Sequence, residues 1–491
     1  MRKIRIGFSV GGALAAAVAV VALTGVTAHG QNRASASTGQ GNGPMVRSEA
    51  TPQAGSVTVP QSSQDQGEGR AHTNYVLLNA KADGSSMLAG PLVDGNPAIS
   101  LLETPRSLGC LYLGSPKYVG CAPNGFSDLG GPSPTGSLAT SAIAIVDAFD
   151  NPNAANDLKI FTTQFHLTPA AFTKIYANGN GDCGVPPFDA GWSLEEDLDI
   201  EWAHVFSPKA HIILVEACSN SYTDLFYAEQ VAFSYLVTHY PAGGEVSNSW
   251  QGGEPGGCCG GQDGNDLLFT DHIYNAGQGY VPNVLALASS GDGGIISGQA
   301  GYPSANPWVL TAGGTTINRD ASTHAFVSES CWGGAGGGIS SNETWHDFFG
   351  LGGFTGGHTG PWADYQYPIF GPTNRATPDM SFDADPASGV PVYSGVNGGW
   401  WQVGGTSLAS PALASILNRA DNFMGTVHIN GINGSAYFNT AEHDLVYSEL
   451  QAKAAYKANF YDVTTGSNGT SATTGWDYCT GVGSPRGVLG K

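Results

Sequence analysis

At 491 residues, 41% hydrophobic and only 12% charged, the chain is long and apolar enough to bury one large core with a smaller appendage. Its formal net charge of -21 argues against nucleic acid or an anionic membrane as partner, and suits an exported protein that stays soluble where carboxylates are partly protonated. The 71 glycines and 28 prolines predict many turns and few long helices.

Residues 1–28 place Arg2, Lys3 and Arg5 before an apolar run rich in Ala and Val and end in Val26-Thr27-Ala28, the pattern of a secretory signal with a small-residue cleavage site. An uncleaved anchor is the alternative. No later segment is long and apolar enough to span a membrane, so the mature protein is expected to be a soluble extracellular monomer. Residues 29–137 read as a low-complexity segment leading into a short propeptide or into the edge of the main domain. Up to about residue 70 they are rich in Ser, Gly, Gln and Pro without apolar periodicity, which predicts flexibility. Beyond that, apolar stretches at Tyr75–Leu78 and Ile99–Leu102 stand among glycines and prolines. Eight cysteines, an even number in an exported chain, predict disulfides. Cys110 and Cys121 can close a short loop, the pairings stay open, and without a CxxC pair or matching histidines zinc is not expected.

Residues 138–491 form the main domain. Short apolar runs at Ala142–Val146, His211–Glu216, Glu245–Trp250, Val284–Ala288 and Trp308–Ala312 have the character of buried parallel strands. Helical stretches fall at Asn153–Phe165, Leu194–Phe206 and Tyr222–Thr238. The alternation predicts an α/β fold, a doubly wound, mostly parallel sheet with helices on both faces and a site at the C-terminal strand ends.

Three stretches bear on chemistry. In Gly191–His204, Ser193 reads as the N-cap of a helix whose first turns hold Glu195, Glu196, Asp197, Asp199 and Glu201. These acids either complement the helix dipole on a solvated face or form functional pairs. Glu195 with Asp199 and Asp197 with Glu201 border the apolar stripe of Leu194, Leu198, Trp202 and Val205 on opposite sides, and periodicity does not choose between them. Val284–Gly294 is a strand ending in a Ser-Gly-Asp-Gly turn, where Asp292 is an ordinary turn aspartate or, protonated and facing a nucleophile, a hydrogen-bond donor. Finally, Gly404-Gly405-Thr406-Ser407-Leu408-Ala409-Ser410-Pro411 sets a glycine-flanked hydroxyl at the start of a small-residue helix running through Ala409–Leu417. The helix amides favour negative charge beside Ser407, and Pro411 is expected in the first turn, where its missing N–H costs nothing. The alternative makes Thr406 or Ser407 merely an N-cap.

Glu-x-x-x-Asp on a helix, then Ser290–Gly294 (SGDGG), Tyr302–Thr316 (YPSANPWVLTAGGTT) and Gly404–Pro411 (GGTSLASP), in this order and spacing, resemble the sedolisin (serine-carboxyl peptidase) family from about Ala142 to the C-terminus. The resemblance implies a subtilisin-like fold and a secreted endopeptidase that hydrolyses peptide bonds in protein or peptide substrates at acidic pH through an acyl-enzyme. It assigns Ser407 as nucleophile, Glu195 as catalytic glutamate, Asp199 as its partner and Asp292 as the oxyanion-hole aspartate. It also implies one structural calcium ion held by Asp462, Asp477 and the carbonyls of Val463, Thr473 and Gly475, although a structural Asp-rich turn accounts for the same residues. Two departures stand out. The span before Ala142 is short for the family's long folded prodomain, and Ser247-Asn248-Ser249-Trp250-Gln251-Gly252 carries one residue more than the family's Ser-x-Ser-Trp-Gly. A subtilisin triad of Asp147 and Ser407 lacks a His-Gly-Thr motif, with His204 lying among helix acids. A catalytically inactive exported binding or structural protein on the same fold is the remaining alternative.

Overall fold

The computed structural model describes residues 57–78, 102–114, 121, 142–179, 183–255, 266–269, 284–295, 300–344, 365–366, 369, 371, 374–420, 426–430 and 436–491. The signal pattern at 1–28 and the Cys258-Cys259 pair lie outside the described residues. No helix among those described is long and apolar enough to cross a membrane.

Three short strands come first: β1 (Val57–Thr58), β2 (His72–Thr73) and β3 (Val76–Leu78). Thus the part of 31–70 that is described is not featureless: it carries β1 and a turn of 3-10 helix at Gln61–Ser63. Helix α1 (Pro105–Leu113) opens on a reciprocal cap, Thr104 accepting from the Ser107 N–H and Ser107 from that of Thr104, with Pro105 at the first position.

The main domain alternates as expected: β4 (Ala142–Ala148), α2 (Ala154–Gln164), β5 (Ala171–Ala177), α3 (Ala190–Phe206), β6 (His211–Ala217), α4 (Tyr222–His239), β7 (Gly244–Asn248), β8 (Trp250–Gln251), β9 (Val284–Ser289), β10 (Val309–Arg319) and β11 (Phe326–Cys331). Then come the hairpin partners β12 (Gly338–Thr344) and β13 (Asn374–Thr377), followed by β14 (Met380–Asp383), β15 (Val390–Ser394), β16 (Gly399–Gly404) and α5 (Thr406–Arg419). Strand β5 escapes a sequence reading because it is the sheet's edge, with mostly half-buried residues instead of an apolar run.

The central sheet runs β11-β10-β9-β7-β4-β6-β5, with β14 also on β10; only the β10–β11 pairing is antiparallel. Successive residues of β4 point to opposite layers: Ile143 and Ile145 join α3 and α5, whereas Ala142, Ala144 and Val146 join α4. From β4 the chain builds β5 and β6 to one side, then β7, β9 and β10 to the other. The C-terminal ends of β4, β7 and β9 therefore border the crevice where strand order reverses, the place such sheets offer to ligands.

Helix α3 starts earlier than expected. The Asp189 carboxylate, not Ser193, is the cap, accepting the N–H groups of Gly191 (2.9 Å) and Trp192 (3.0 Å). An anionic acceptor complements the helix dipole better than a hydroxyl, and Ser193 is left inside the helix with its hydroxyl on the Asp189 carbonyl at 2.8 Å. Disulfides join Cys110 to Cys121, Cys183 to Cys218 and Cys331 to Cys479.

Candidate active site

Ser407 sits at the second residue of α5, and Gly405, not Thr406 or Ser407, holds the cap position. Gly405 has φ 120°, and a Cβ there would lie 2.2 Å from the Asn74 carbonyl oxygen and 2.6 Å from Asp292 Oδ2, so only glycine fits. Instead of capping, the Thr406 hydroxyl accepts the Gly291 N–H (3.0 Å) and donates to Asp292 Oδ1 (2.9 Å), which also takes the Thr406 N–H (2.7 Å). Three bonds thus clamp the SGDGG turn to the helix start.

Pro411 lies beyond the first turn. Because the helix begins at Thr406, Pro411 stands in its interior, where its missing N–H strands the carbonyl four residues back, that of Ser407. The Ser249 hydroxyl fills the gap, donating to the Ser407 carbonyl at 3.2 Å, while the Ser407 hydroxyl donates to the Ser249 carbonyl at 3.1 Å. Ser249 is the residue between β7 and β8, so the proline couples Ser407 and the strand end.

The acids of α3 are not on a solvated face: Glu195, Glu196, Asp197, Asp199 and Glu201 are all 0% exposed. Their two faces meet different surroundings. Asp197 Oδ1 accepts from Asn151 Nδ2 (2.7 Å) and Glu201 from the Tyr393 N–H of β15 (3.1 Å). Glu195 and Asp199 turn toward Ser407 and Ser249. Burial raises the Glu195 pKa well above the usual range, the Asp199 and Asp147 carboxylates raise it further, and the nearby Ser407 hydroxyl offsets part of the shift. Asp199 is likewise raised by burial, with the Ser249 hydroxyl and Glu195 pulling the other way. Proximity here is not alignment, because the Ser407 hydroxyl points to Ser249 and neither oxygen of Glu195 or Asp199 has a hydrogen-bond partner among the described residues.

A third acid, Asp147, joins them from the C-terminal end of β4; burial, then Asp199 and Glu216, raise its pKa, and its oxygens are equally unpartnered among the described residues. The sequence offered it only as half of a subtilisin triad. Its signal was an aspartate closing an otherwise apolar buried strand, which calls for a reason beyond packing. His204, which the sequence places among the helix acids and not in a triad motif, holds the Thr168 carbonyl at 2.6 Å and lies about 13 Å further along α3 than Glu195.

Asp292 completes the constellation. Burial lifts its pKa to about 7 against the pull of the Thr406 N–H and hydroxyl, and its Oδ2 is unpartnered among the described residues. Asn74, which nothing in the sequence singled out, closes the site: its N–H donates to Ser407 Oγ at 3.2 Å and its carbonyl accepts the Ser407 N–H at 3.0 Å.

In the C-terminal loop, Asp462 Oδ1 accepts the Gly475 N–H (3.0 Å), and Asp477 accepts from the N–H groups of Thr473 (3.0 Å), Cys479 (2.9 Å) and Thr480 (2.9 Å). Both carboxylates are therefore tied to one loop, and burial raises the Asp477 pKa. Among the described residues no cluster of three or more His, Cys, Asp and Glu side chains is gathered as for a metal. A cation here would rest on two carboxylates plus carbonyls, an all-oxygen set whose hardness fits calcium.

No protein-family model matches the chain. Kumamolisin of Bacillus sp. (strain MN-32) is 29% identical over 312 residues, covering 60% of this chain and 49% of that protein. Sedolisin of Pseudomonas sp. (strain 101) is 32% identical over 238 residues, covering 44% of this chain and 36% of its own length. The chain thus spans about half or less of these relatives. The solved structure of Pseudomonas sedolisin, a serine-carboxyl proteinase complexed with two molecules of pseudo-iodotyrostatin, aligns with a TM-score of 0.55 at 24% identity, covering 79% of this chain and 96% of that one. That likeness concerns the fold. By sequence the chain is similar to curated members of the sedolisin (serine-carboxyl peptidase) family, and it shares the fold of Pseudomonas sedolisin.

Proposed function

We propose that the chain is a secreted serine-type endopeptidase that hydrolyses peptide bonds in proteins and peptides under acidic conditions, with Ser407 as nucleophile. The observation that carries this reading is one hydroxyl set between a buried, unpaired acid cluster and a helix amide backed by a second buried acid. Serine needs a base, and a carboxylate takes that part where histidine would be protonated. Glu195 accepts the Ser407 proton. Asp199 and Asp147 share protons with it, so the three titrate as one unit and the single charge that develops is spread over them. The Ser407 N–H and the protonated Asp292 carboxyl donate to the oxyanion, each such donor contributing about 3 kcal/mol to the transition state.

Acid dependence follows in sign. Asp292 is a donor only below its pKa of about 7, so kcat falls as pH rises through that value. The signal pattern at residues 1–28 and the three disulfides support export. Asp462, Asp477 and the carbonyls of Val463, Thr473 and Gly475 would hold one calcium ion, whose charge would tie the loop together while taking no part in the reaction. The experiment is hydrolysis of an unfolded protein at about pH 4 by the chain and by its Ser407→Ala variant. The variant is expected to lose at least about 10⁴-fold in activity while folding normally. Activity close to that of the parent would sink the assignment.

A further inference from the structure

Lys174 of β5 brings a cation to the edge of the buried acids. Its Nζ meets Asp150 Oδ1 at 2.5 Å, Glu216 Oε1 at 3.0 Å and the Asn151 carbonyl at 2.9 Å. Burial opposes that charge, but Asp150 and Glu216 more than offset it and raise the Lys174 pKa. Glu216, 0% exposed near the end of β6, stands directly opposite Asp147 in the parallel register of β4 and β6. Its Oε1 also accepts the Asn151 N–H at 3.0 Å, whereas Oε2 is buried without a partner among the described residues. The other groups around it are Tyr176, opposite on β5 with its hydroxyl on Asp150 (3.2 Å), and Glu196 of α3, whose pKa is raised by burial, then by Glu216 and Asp147. Beyond Asp147 come Asp199 and Glu195.

Burial lifts the Glu216 pKa to about 8 against the pull of Lys174 and the Asn151 N–H, so in acid Glu216 is a neutral carboxyl with a proton on one oxygen. The contacts say which oxygen. Oε1 already accepts from an ammonium and an amide, and a proton there would face two others; the proton therefore sits on Oε2. A neutral carboxyl held in this way is a fixed hydrogen-bond donor. On its inner side, both oxygens of Asp147, Glu196, Asp199 and Glu195 lack donors among the described residues. The repulsion that raises the Asp147 pKa belongs to ionised Glu216; the neutral acid acts in the opposite sense.

We infer that Glu216 is a positioning residue of the reaction: pinned at Oε1 by Lys174 and the Asn151 N–H, it turns its acid proton toward Asp147 and steadies the negative charge that Asp147, Asp199 and Glu195 share. The inference rests on the peptidase reading above. Glu216 touches no substrate and keeps its proton throughout. Its effect has a definite sign. A donor beside the unit favours the carboxylate form, so it lowers the pH at which Glu195 becomes available as a base and extends hydrolysis further into acid. Lys174 acts one step behind it, because without the ammonium nothing but one amide would keep the proton on the inner oxygen.

The test is the pH dependence of kcat/KM on an unfolded protein, with the melting temperature followed at each pH, for the full chain and for Glu216→Leu, Glu216→Met and Glu216→Gln. The two apolar variants leave Lys174 on Asp150 and strand no charge, and the second covers a failure of the first to fold. Each should move the acid limb up by about one pH unit while the alkaline limb set by Asp292 stays in place. Glu216→Gln keeps an outward acceptor and offers an inward N–H, so its acid limb should match the parent's. An acid limb unmoved in the folded apolar variants, or moved as far by Gln as by Leu, would overturn the inference and leave the peptidase reading standing. A downward move in Glu216→Gln would overturn it too, since Glu216 would then have been an anion. So would a loss at both limbs that tracks the melting temperature, which is the mark of packing alone. No hydrolysis by the parent at any pH would overturn both.

Discussion

Two sets of carboxyls are buried in this protein, and only one of them is given a counter-charge. Asp379, between β13 and β14, is 0% exposed and fully engaged: Arg375 grips both its oxygens, the Thr311 N–H (2.7 Å) and Tyr447 hydroxyl (2.8 Å) donate to it, and His443 stands at 3.2 Å. Burial opposes its ionisation, yet Arg375 and His443 hold its pKa well below the usual carboxylate range. Glu195, Asp199 and Asp147 are buried to the same degree without an ion pair among the described residues, and burial drives their pKa values up. The same functional group is locked as a charge in one place and kept as a proton carrier in the other. Paired, it serves architecture; unpaired beside a hydroxyl, it is suited to moving a proton.

Substitutions can break this contrast, and the largest effect belongs to the unpaired set. Glu195→Gln and Asp199→Asn should each cut kcat by about 10²–10⁴-fold with melting temperature held or raised, because a neutral group replaces one already disfavoured as an anion. Asp197→Ala and Glu201→Ala, on the face toward Asn151 and Tyr393, should cost less than about tenfold in steady-state assays. Equal losses on both faces would mean that the wrong pair has been assigned. Asp379→Asn reverses the pattern: it leaves Arg375 buried and unbalanced, so denaturant unfolding should show a loss of about 3–5 kcal/mol, with little change in kcat per folded molecule.

The pH dependence of stability sharpens the comparison further. Glu216, Glu229 and Glu442, lifted to about 8 mainly by burial, hold protons in the folded state that the unfolded chain releases near pH 4. Between those limits the native state binds more protons, so stability falls as pH rises, and the melting temperature should be lower at about pH 8 than at about pH 5. Asp379, with its lowered pKa, works in the opposite sense and only at strongly acidic pH. A melting temperature that climbs between those two values would refute the account of the buried acids. The smallest expected effect is at the C-terminal loop, where chelating calcium should lower melting by a few degrees, as removal of a ligand bound only by the native state does. Identical melting with and without chelator, in protein verified free of metal, would remove the ion from the account.

Much of this was legible in local pattern. The β4, β6, β7 and β9 runs and the helices between them announce the sheet, whereas Glu195, Asp199, Asp292 and Ser407 were singled out by the resemblance of their short motifs to one family and not by periodicity. What escaped lies in long-range pairing and burial. Nothing about Thr73 or Asn74 reveals that they will lie beside Trp250 and Ser407, because an edge pairing depends on which strand end is left unfilled. The acids of α3 look like an ordinary solvated helix start until α5 and β15 cover both faces. Asp189 displaced Ser193 as cap by a difference in charge that residue type alone underweighted. Pro411 was expected in the first turn because the helix was begun too late, at Ala409 instead of Thr406.

That proline also determines how tolerant the crevice is to a misplaced chain. By withholding an N–H it hands the carbonyl of Ser407 to Ser249, whose own carbonyl receives the hydroxyl of Ser407, while the adjoining Trp250 is the edge on which Thr73 pairs. The Ser407 hydroxyl and the β8 edge are thus one mechanical piece. A chain that docks a step out of line pulls on the peptide that aims the hydroxyl, so misalignment is penalised in the aim itself, whatever side chains the substrate carries.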